Sequence, residues 1–204
     1  MKKYIIALIP ARGGSKSIPD KNIINFTPKG GESKPLIVHS IELAKKSKFI
    51  DFVFVSTDSE KIANIAREAG AIVPFLRTSE ISGDLSTDLE CFQHFLNYLN
   101  SENYFLKVDD IKFIVHLRPT FLNRTLESLD NCIEIFNKNY KEYDSLRTVV
   151  KMDKSPYKTY NIIDNELIPL HQMLITEGKI INEPFNQCRQ ILPDTYLHNG
   201  NIDI

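Results

Sequence analysis

The chain has 204 residues, 42% of them apolar, with 25 Lys and Arg against 26 Asp and Glu for a net charge of −1. That length and apolar content fit one α/β domain with a core large enough to need no metal or disulfide staple. The even charge excludes a general nucleic-acid binder, which carries a strongly basic face, and three cysteines without a CxxC pair exclude a disulfide framework.

Elements alternate along the first three quarters. Met1-Lys2-Lys3 and the run Tyr4–Ile9 imitate the opening of a signal peptide, but Pro10-Ala11-Arg12 interrupts the run before any cleavage site. Tyr4–Ile9, Phe52–Thr57, Ile72–Leu76, Lys112–Leu117 and Leu146–Lys151 are short runs rich in Ile, Val and Phe, suited to strands buried on both faces. Ser59 to Ala69 gathers Ile62, Ile65, Ala66 and Ala69 on one side and stops at Gly70, so it reads as a helix. Leu85, Leu89, Phe92, Leu96 and Leu99 form a second apolar stripe, and Leu126, Leu129, Ile133 and Phe136 a third. Such alternation predicts a mostly parallel sheet covered by helices on both faces.

From Lys158 to Cys188 the pattern weakens. Ile162–Ile168 reads as a hairpin around a tight Asp164-Asn165 turn, the rest as irregular, and Tyr196–Ile204 as strand-like. No segment reaches 18 consecutive apolar residues, so no membrane span is expected, and the cysteines are expected to be reduced, buried hydrophobes in a cytoplasmic protein.

Ligands of open α/β sheets bind beyond the carboxyl ends of the strands, and three post-strand loops carry chemistry here. Pro10–Asn22 combines Gly13 and Gly14, which let backbone N–H groups approach a ligand, with the cations Arg12, Lys16 and Lys21. That suits a polyphosphate, although the loop is neither a Walker A sequence nor a dinucleotide fingerprint. A basic surface loop is the bland alternative. Arg77–Asp88 reads first as helix capping and turn chemistry through Ser82, Asp84, Ser86, Thr87 and Asp88. Arg118–Thr125 carries Arg118 directly at a strand end, whereas Arg124 reads as a surface charge. The five histidines show no metal spacing, and no GxSxG, HExxH or closely paired carboxylates support nucleophilic or zinc chemistry.

Taken together, these loops resemble the acylneuraminate cytidylyltransferases (CMP-sialic acid synthetases), whose relatives activate legionaminic, pseudaminic and 3-deoxy-manno-octulosonic acids. The resemblance runs from Ala11-Arg12-Gly13-Gly14-Ser15-Lys16 through Lys21-Asn22, Val55–Glu60, Val73–Glu80, Arg118–Thr125, Ser155–Lys158 and Cys188–Pro193 to Asn199-Gly200. It implies a three-layer α/β/α sandwich of the nucleotide-diphospho-sugar transferase type over residues 1–204, with 159–188 a small excursion or dimerisation element. It also implies a nucleotidyltransferase that joins CTP to an acidic eight- or nine-carbon keto sugar and releases pyrophosphate, with Mg²⁺ as cofactor and a homodimer as the assembly. No nucleic-acid or membrane partner is expected. Arg12, Gly13, Gly14, Ser15, Lys21, Asn22, Arg77 and Ser86 match nucleotide-binding positions, with Arg12 and Lys21 the catalytic pair. Arg118, Lys158 and Arg189 match positions for the sugar.

The chain departs from the family pattern in places. Ser17 stands where the family usually has Gly, Arg118 where it often has Gln, and Phe121-Leu122-Asn123 where Ser-Pro-Leu is usual. The family's magnesium-binding aspartates lie beyond the last residue, Ile204, and Asp203 does not match them, so the expectation is a C-terminally truncated chain with unknown metal ligands. A catalytically impaired CTP-binding module and a nucleotidyltransferase with another acceptor stand as alternatives.

Overall fold

A computed structural model describes residues 2–16, 18–101 and 104–204; Met1 and Ser17, which figure in the reading above, lie outside the described residues. The chain forms two compact units, Met1–Arg147 with Gly200–Ile204, and Thr148–Asn199.

In the first unit, β1 (Tyr4–Pro10) leads through a two-residue ladder, β2 (Asn25–Phe26) with β3 (Lys34–Pro35), into α1 (Leu36–Lys46). β4 (Phe52–Ser56) and α2 (Glu60–Glu68) follow, then α3 (Asp88–Ser101), β5 (Ile111–His116) and α4 (Leu126–Asn139). β6 (Arg147–Lys151) leaves this unit and β11 (Tyr196–Asp203) returns to it, giving a five-stranded sheet in the order β4-β1-β5-β11-β6. β1 pairs in parallel with β4 and with β5, and β11 runs antiparallel to β5.

The alternation of side chains along β1 builds the layers. Ile5, Ala7 and Ile9 face a core filled by Ile37, Ile41 and Ala44 of α1, Ile62 and Ala66 of α2, and Leu129 and Ile133 of α4. Ile6 and Leu8 face the other core, with Phe54 of β4 and Phe95 and Leu99 of α3. Phe54 and Phe95 meet there at a ring-centroid distance of 5.0 Å. Both faces of the sheet are therefore covered, and the three-layer α/β/α sandwich with a mostly parallel central sheet is the fold.

Three expectations need correction. Ile72–Leu76 is not a strand but makes two isolated parallel bridges, Phe54 with Ile72 and Thr57 with Leu76. Pro74 has no N–H to give the ladder, so pairing stops between them. The stripe on α3 is shifted: Leu85 precedes the helix and is 96% exposed, Leu89 is exposed too, and Cys91, Phe95 and Leu99 are the buried set. Helix α1 is absent from the sequence reading, although Ile37, Ile41 and Ala44 have the spacing of a buried face.

The second unit contains two hairpins, β7 (Tyr160–Ile163) with β8 (Glu166–Pro169) and β9 (Met173–Thr176) with β10 (Lys179–Asn182). The first turns at Asp164 and Asn165, both at positive φ, as the sequence predicts. The second lies in the segment expected to be irregular and turns at Glu177-Gly178, also at positive φ. Cys91 is buried, but Cys188 is exposed, against the expectation of three buried thiols. Among the described residues no helix is long and apolar enough to cross a membrane.

Candidate active site

The loop after β1 is anchored before it reaches any ligand. Ala11 N–H extends the parallel ladder to the Ser56 carbonyl at 2.9 Å, and Gly13 N–H donates to Asp58 Oδ1 at 2.8 Å. A Cβ on Gly13 would lie 3.1 Å from Ser59 Cβ, so a larger residue there would push the loop or the start of α2 aside by a few tenths of an ångström. Ser15 N–H closes a tight turn on the Gly13 carbonyl at 3.0 Å, while Gly14 has open space around it. Asn22, buried at the start of a 3₁₀ turn, donates its side-chain amide to the Arg12 carbonyl at 2.9 Å and ties the two ends of the loop together.

The loop before α3 combines capping with charge. Thr87 N–H donates to Glu90 Oε2 at 2.6 Å and Glu90 N–H donates back to Thr87 Oγ1 at 3.2 Å, a reciprocal cap that holds the Glu90 carboxyl below its usual range. Asp84 does something else. It pairs with Arg12 at 2.9 Å and with Lys16, and those cations, Lys16 foremost, hold its carboxyl below the usual aspartate range. Arg12 also donates to the Gly83 carbonyl at 2.9 Å.

The loop after β5 supplies two arginines of opposite character. Arg118 extends between Asp88 and Asp203, at 2.8 and 2.7 Å. Arg124 is not the surface charge expected: it is 7% exposed and donates from Nε and Nη2 to the Asn201 carbonyl at 2.8 and 2.6 Å. Nη2 is also 3.4 Å from the Arg118 carbonyl. Burial, with Arg118 nearby, pushes its guanidinium down to about 10. Arg124 thus ties the β5 loop to the end of β11. Beneath Arg118, His116 is buried against the Phe92 ring, and burial first, then Arg118, hold it neutral at about 4 against the opposing pull of Asp88 and Asp203.

These three loops enclose one cavity of about 270 Å³ at the carboxyl ends of β1 and β5. Arg12, Lys21, Asn22, Arg77, Ser86 and Arg118 all line it. Gly13, Gly14 and Ser15 shape the adjoining turn. Lys158 and Arg189 belong to the second unit, Lys158 ending the turn Pro156–Lys158 and Arg189 lining a separate small cavity with Ser155 and Thr195. Four cationic side chains line the main cavity against two carboxylates, Asp84 and Asp88. Arg12 and Arg118 are ion-paired, whereas Lys21 and Arg77 have no carboxylate partner among the described residues. The site is built to receive an anion with several charges.

It does not fit a protein-held divalent cation. No group of three or more His, Cys, Asp or Glu side chains comes together as a metal site among the described residues. Asp88 and Asp203 are committed to Arg118.

Residues 6–167 match the cytidylyltransferase family. A pseudaminic acid cytidylyltransferase of Campylobacter jejuni subsp. jejuni is 35% identical over 138 residues, 68% of this chain and 55% of that protein. The post-translational flagellin modification protein B of Campylobacter coli is 30% identical over 202 residues, 98% of this chain and 76% of that one. The fold is shared with a CMP:2-keto-3-deoxy-manno-octonic acid synthetase solved with CTP, at a TM-score of 0.62 and 14% identity over 98% of this chain and 73% of that one. The chain spans about half the length of the pseudaminic acid cytidylyltransferases it matches. The match begins in β1, takes in all three loops around the cationic cavity and ends within the first hairpin, in β8, and on it this chain belongs to the acylneuraminate cytidylyltransferase family.

Proposed function

We propose that the cavity binds CTP and that the chain transfers its cytidylyl group to an acidic keto sugar, releasing pyrophosphate. The observation that carries this reading is the convergence of Arg12, Lys21, Arg77 and Arg118, from three loops, on one cavity in a member of this family. A nucleoside triphosphate brings three to four negative charges, and in phosphoryl transfer most of the protein's work is positioning and charge neutralisation.

In the proposed step the C2 hydroxyl of the sugar attacks the α-phosphorus in line. The new oxygen–phosphorus bond forms as the bond from the α-phosphorus to the α–β bridging oxygen breaks, the hydroxyl proton passes to solvent water, and pyrophosphate departs with the bridging oxygen. Lys21, with no carboxylate partner among the described residues, meets the triphosphate directly. Arg12 and Lys16 exchange Asp84 for phosphate oxygens, and Gly13, Gly14 and Ser15 offer backbone N–H groups beside them. Arg77, Asn22 and Ser86 are assigned to the nucleoside, and Arg118 to the acid. The names of relatives such as the Campylobacter jejuni enzyme support a sugar acid of the pseudaminic type as acceptor.

We also propose that the second unit's hairpins form a homodimer contact. Ile162, Leu167, Ile175 and Ile180 are each more than 60% exposed there, an unusual concentration of bare aliphatic side chains. Light scattering at micromolar concentration tests this, and a monomer would refute it.

The test of function is pyrophosphate release by the full chain with CTP and a panel of pseudaminic, legionaminic, neuraminic and 3-deoxy-manno-octulosonic acids. Release that needs both CTP and one of these acids is expected. CTP binding without turnover would reduce the reading to a nucleotide-binding module, and release with a non-acidic acceptor would overturn the sugar assignment.

A further inference from the structure

The Arg118 guanidinium is held at both terminal nitrogens by carboxylates from two different elements. Nη2 donates to Asp88 Oδ2 at 2.8 Å, at the first residue of α3, and Nη1 donates to Asp203 Oδ2 at 2.7 Å, at the last residue of β11. Asp203 reaches this place through the sheet register, being paired across the strands with His116, two residues before Arg118 and on the same face. Gly200 takes φ +68°, a conformation that favours glycine, and a Cβ there would make only an ordinary contact with Arg118 Nη1 at 3.8 Å. His116 closes the floor, with Nδ1 3.8 Å from Asp203 Oδ2 and Nε2 3.9 Å from Asp88 Oδ2.

The two carboxylates are not equivalent. The Asp203 side chain is 14% exposed and the Asp88 side chain 50% exposed. The first is therefore a firm tether, and the second is weakened by solvent. Two carboxylates around one guanidinium and a neutral imidazole leave no spare positive charge. A guanidinium carries five N–H donors in one plane, so these two bonds leave donors for a ligand in a direction the carboxylates fix.

We infer that Asp203 is a positioning residue for Arg118, holding its guanidinium so that it takes part in recognition as an oriented set of N–H donors and not as a free cation. This deepens the proposed function and rests on it for the identity of the acid. It also has consequences of opposite sign to the simpler view. If Arg118 were a free cation for the sugar carboxylate, Asp203 would compete with the substrate, and Asp203→Asn would tighten the acid. Arg118→Lys, which keeps the charge, would largely preserve binding. With Arg118 as an oriented donor, Asp203→Asn loosens the acid, and Arg118→Lys is as poor as Arg118→Gln, because an ammonium cannot reproduce the planar fork.

The experiment uses the full chain and two readouts. Nitrogen-15 NMR of arginine side chains reports guanidinium rotation, with the Arg118 signals assigned by their loss in Arg118→Gln. Hindered rotation in the wild type and its release in Asp203→Asn are expected. Steady-state transfer should show the acid's KM rising at least fivefold in Asp203→Asn, Arg118→Lys and Arg118→Gln, with the KM for CTP within twofold. Where Asp203→Asn fails to fold, Asp203→Glu, which keeps the carboxylate but shifts it by one methylene, serves as the second variant: freed Arg118 rotation and a raised KM for the acid are expected, and the absence of both would overturn the inference. Free rotation of Arg118 in the wild type, a lowered or unchanged KM for the acid in Asp203→Asn, or rescue by Arg118→Lys would each overturn the inference. A wild type that transfers to no sugar acid defeats the functional reading, while the rotation of Arg118 still decides the clamp.

Discussion

Replacing Arg124 with Met removes a buried cation that ties the loop carrying Arg118 to the end of the last strand, and the outcome can be worked from the structure. Two short bonds to the Asn201 carbonyl, at 2.8 and 2.6 Å, are lost together with the longer one to the Arg118 carbonyl. Bonds from a charged donor contribute roughly 1.5–3 kcal/mol each, and the Asn201 carbonyl is left without these donors. Against that loss, the substitution relieves the cost of burying the charge. A guanidinium pushed down from its ordinary range to about 10 signals a relief of roughly 3 kcal/mol. Methionine keeps most of the apolar stem in place. The net is a destabilisation of about 2 kcal/mol, which for a chain of this size lowers Tm by roughly 4–8 °C. Thermal unfolding followed by circular dichroism on both proteins is the assay. A Tm within 1 °C of the wild type would refute the argument that this guanidinium staples the loop.

Other outcomes follow from the same geometry. Lys21→Ala should weaken CTP binding more than tenfold by calorimetry, since among the described residues Lys21 has no carboxylate to release and its charge is available to phosphate; an unchanged Kd would remove it from the site. His116, held neutral down to about 4 in the fold but taking up a proton near 6.5 when unfolded, makes the fold lose roughly 3 kcal/mol as pH falls from about 6.5 to 4. The sign follows because the unfolded chain binds more protons throughout that window. Urea midpoints at pH 7, 6 and 5 should show the decline, His116→Asn should flatten it, and an identical slope in that variant would contradict the assignment.

The parts of the fold legible in the sequence are those where one physical signal dominates. Runs such as Ile5–Ile9 and Val53–Val55 carry no polar residue on either face, and that is what a strand buried between two helical layers demands. Asp164-Asn165 announced its hairpin because both residues tolerate positive φ, whereas Glu177-Gly178 did not, since Glu rarely starts such a turn. The α3 stripe was misread because Leu85 and Leu89 share the helical spacing of the buried set but sit in and beside the loop that faces the cavity.

The site divides in the same way. Glycines and cations crowded into one post-strand loop are readable as a phosphate site, and Arg12, Lys21 and Arg118 do line the cavity. The partners of those cations are not local. Asp84 is 72 positions from Arg12, and Asp203 is 85 positions from Arg118. Their pairing is a product of sheet register and loop packing, which no single-sequence spacing encodes. Arg124 was misjudged for the same reason, because its acceptor is a backbone carbonyl 77 positions away.

The most direct test of the central claim is a calorimetric titration of the full chain with CTP, with UTP as control. Saturable binding of CTP with at least tenfold weaker binding of UTP is the predicted result. Equal binding of the two would contradict a cytidine pocket, and no binding of either would contradict the assignment of this cavity to a nucleoside triphosphate.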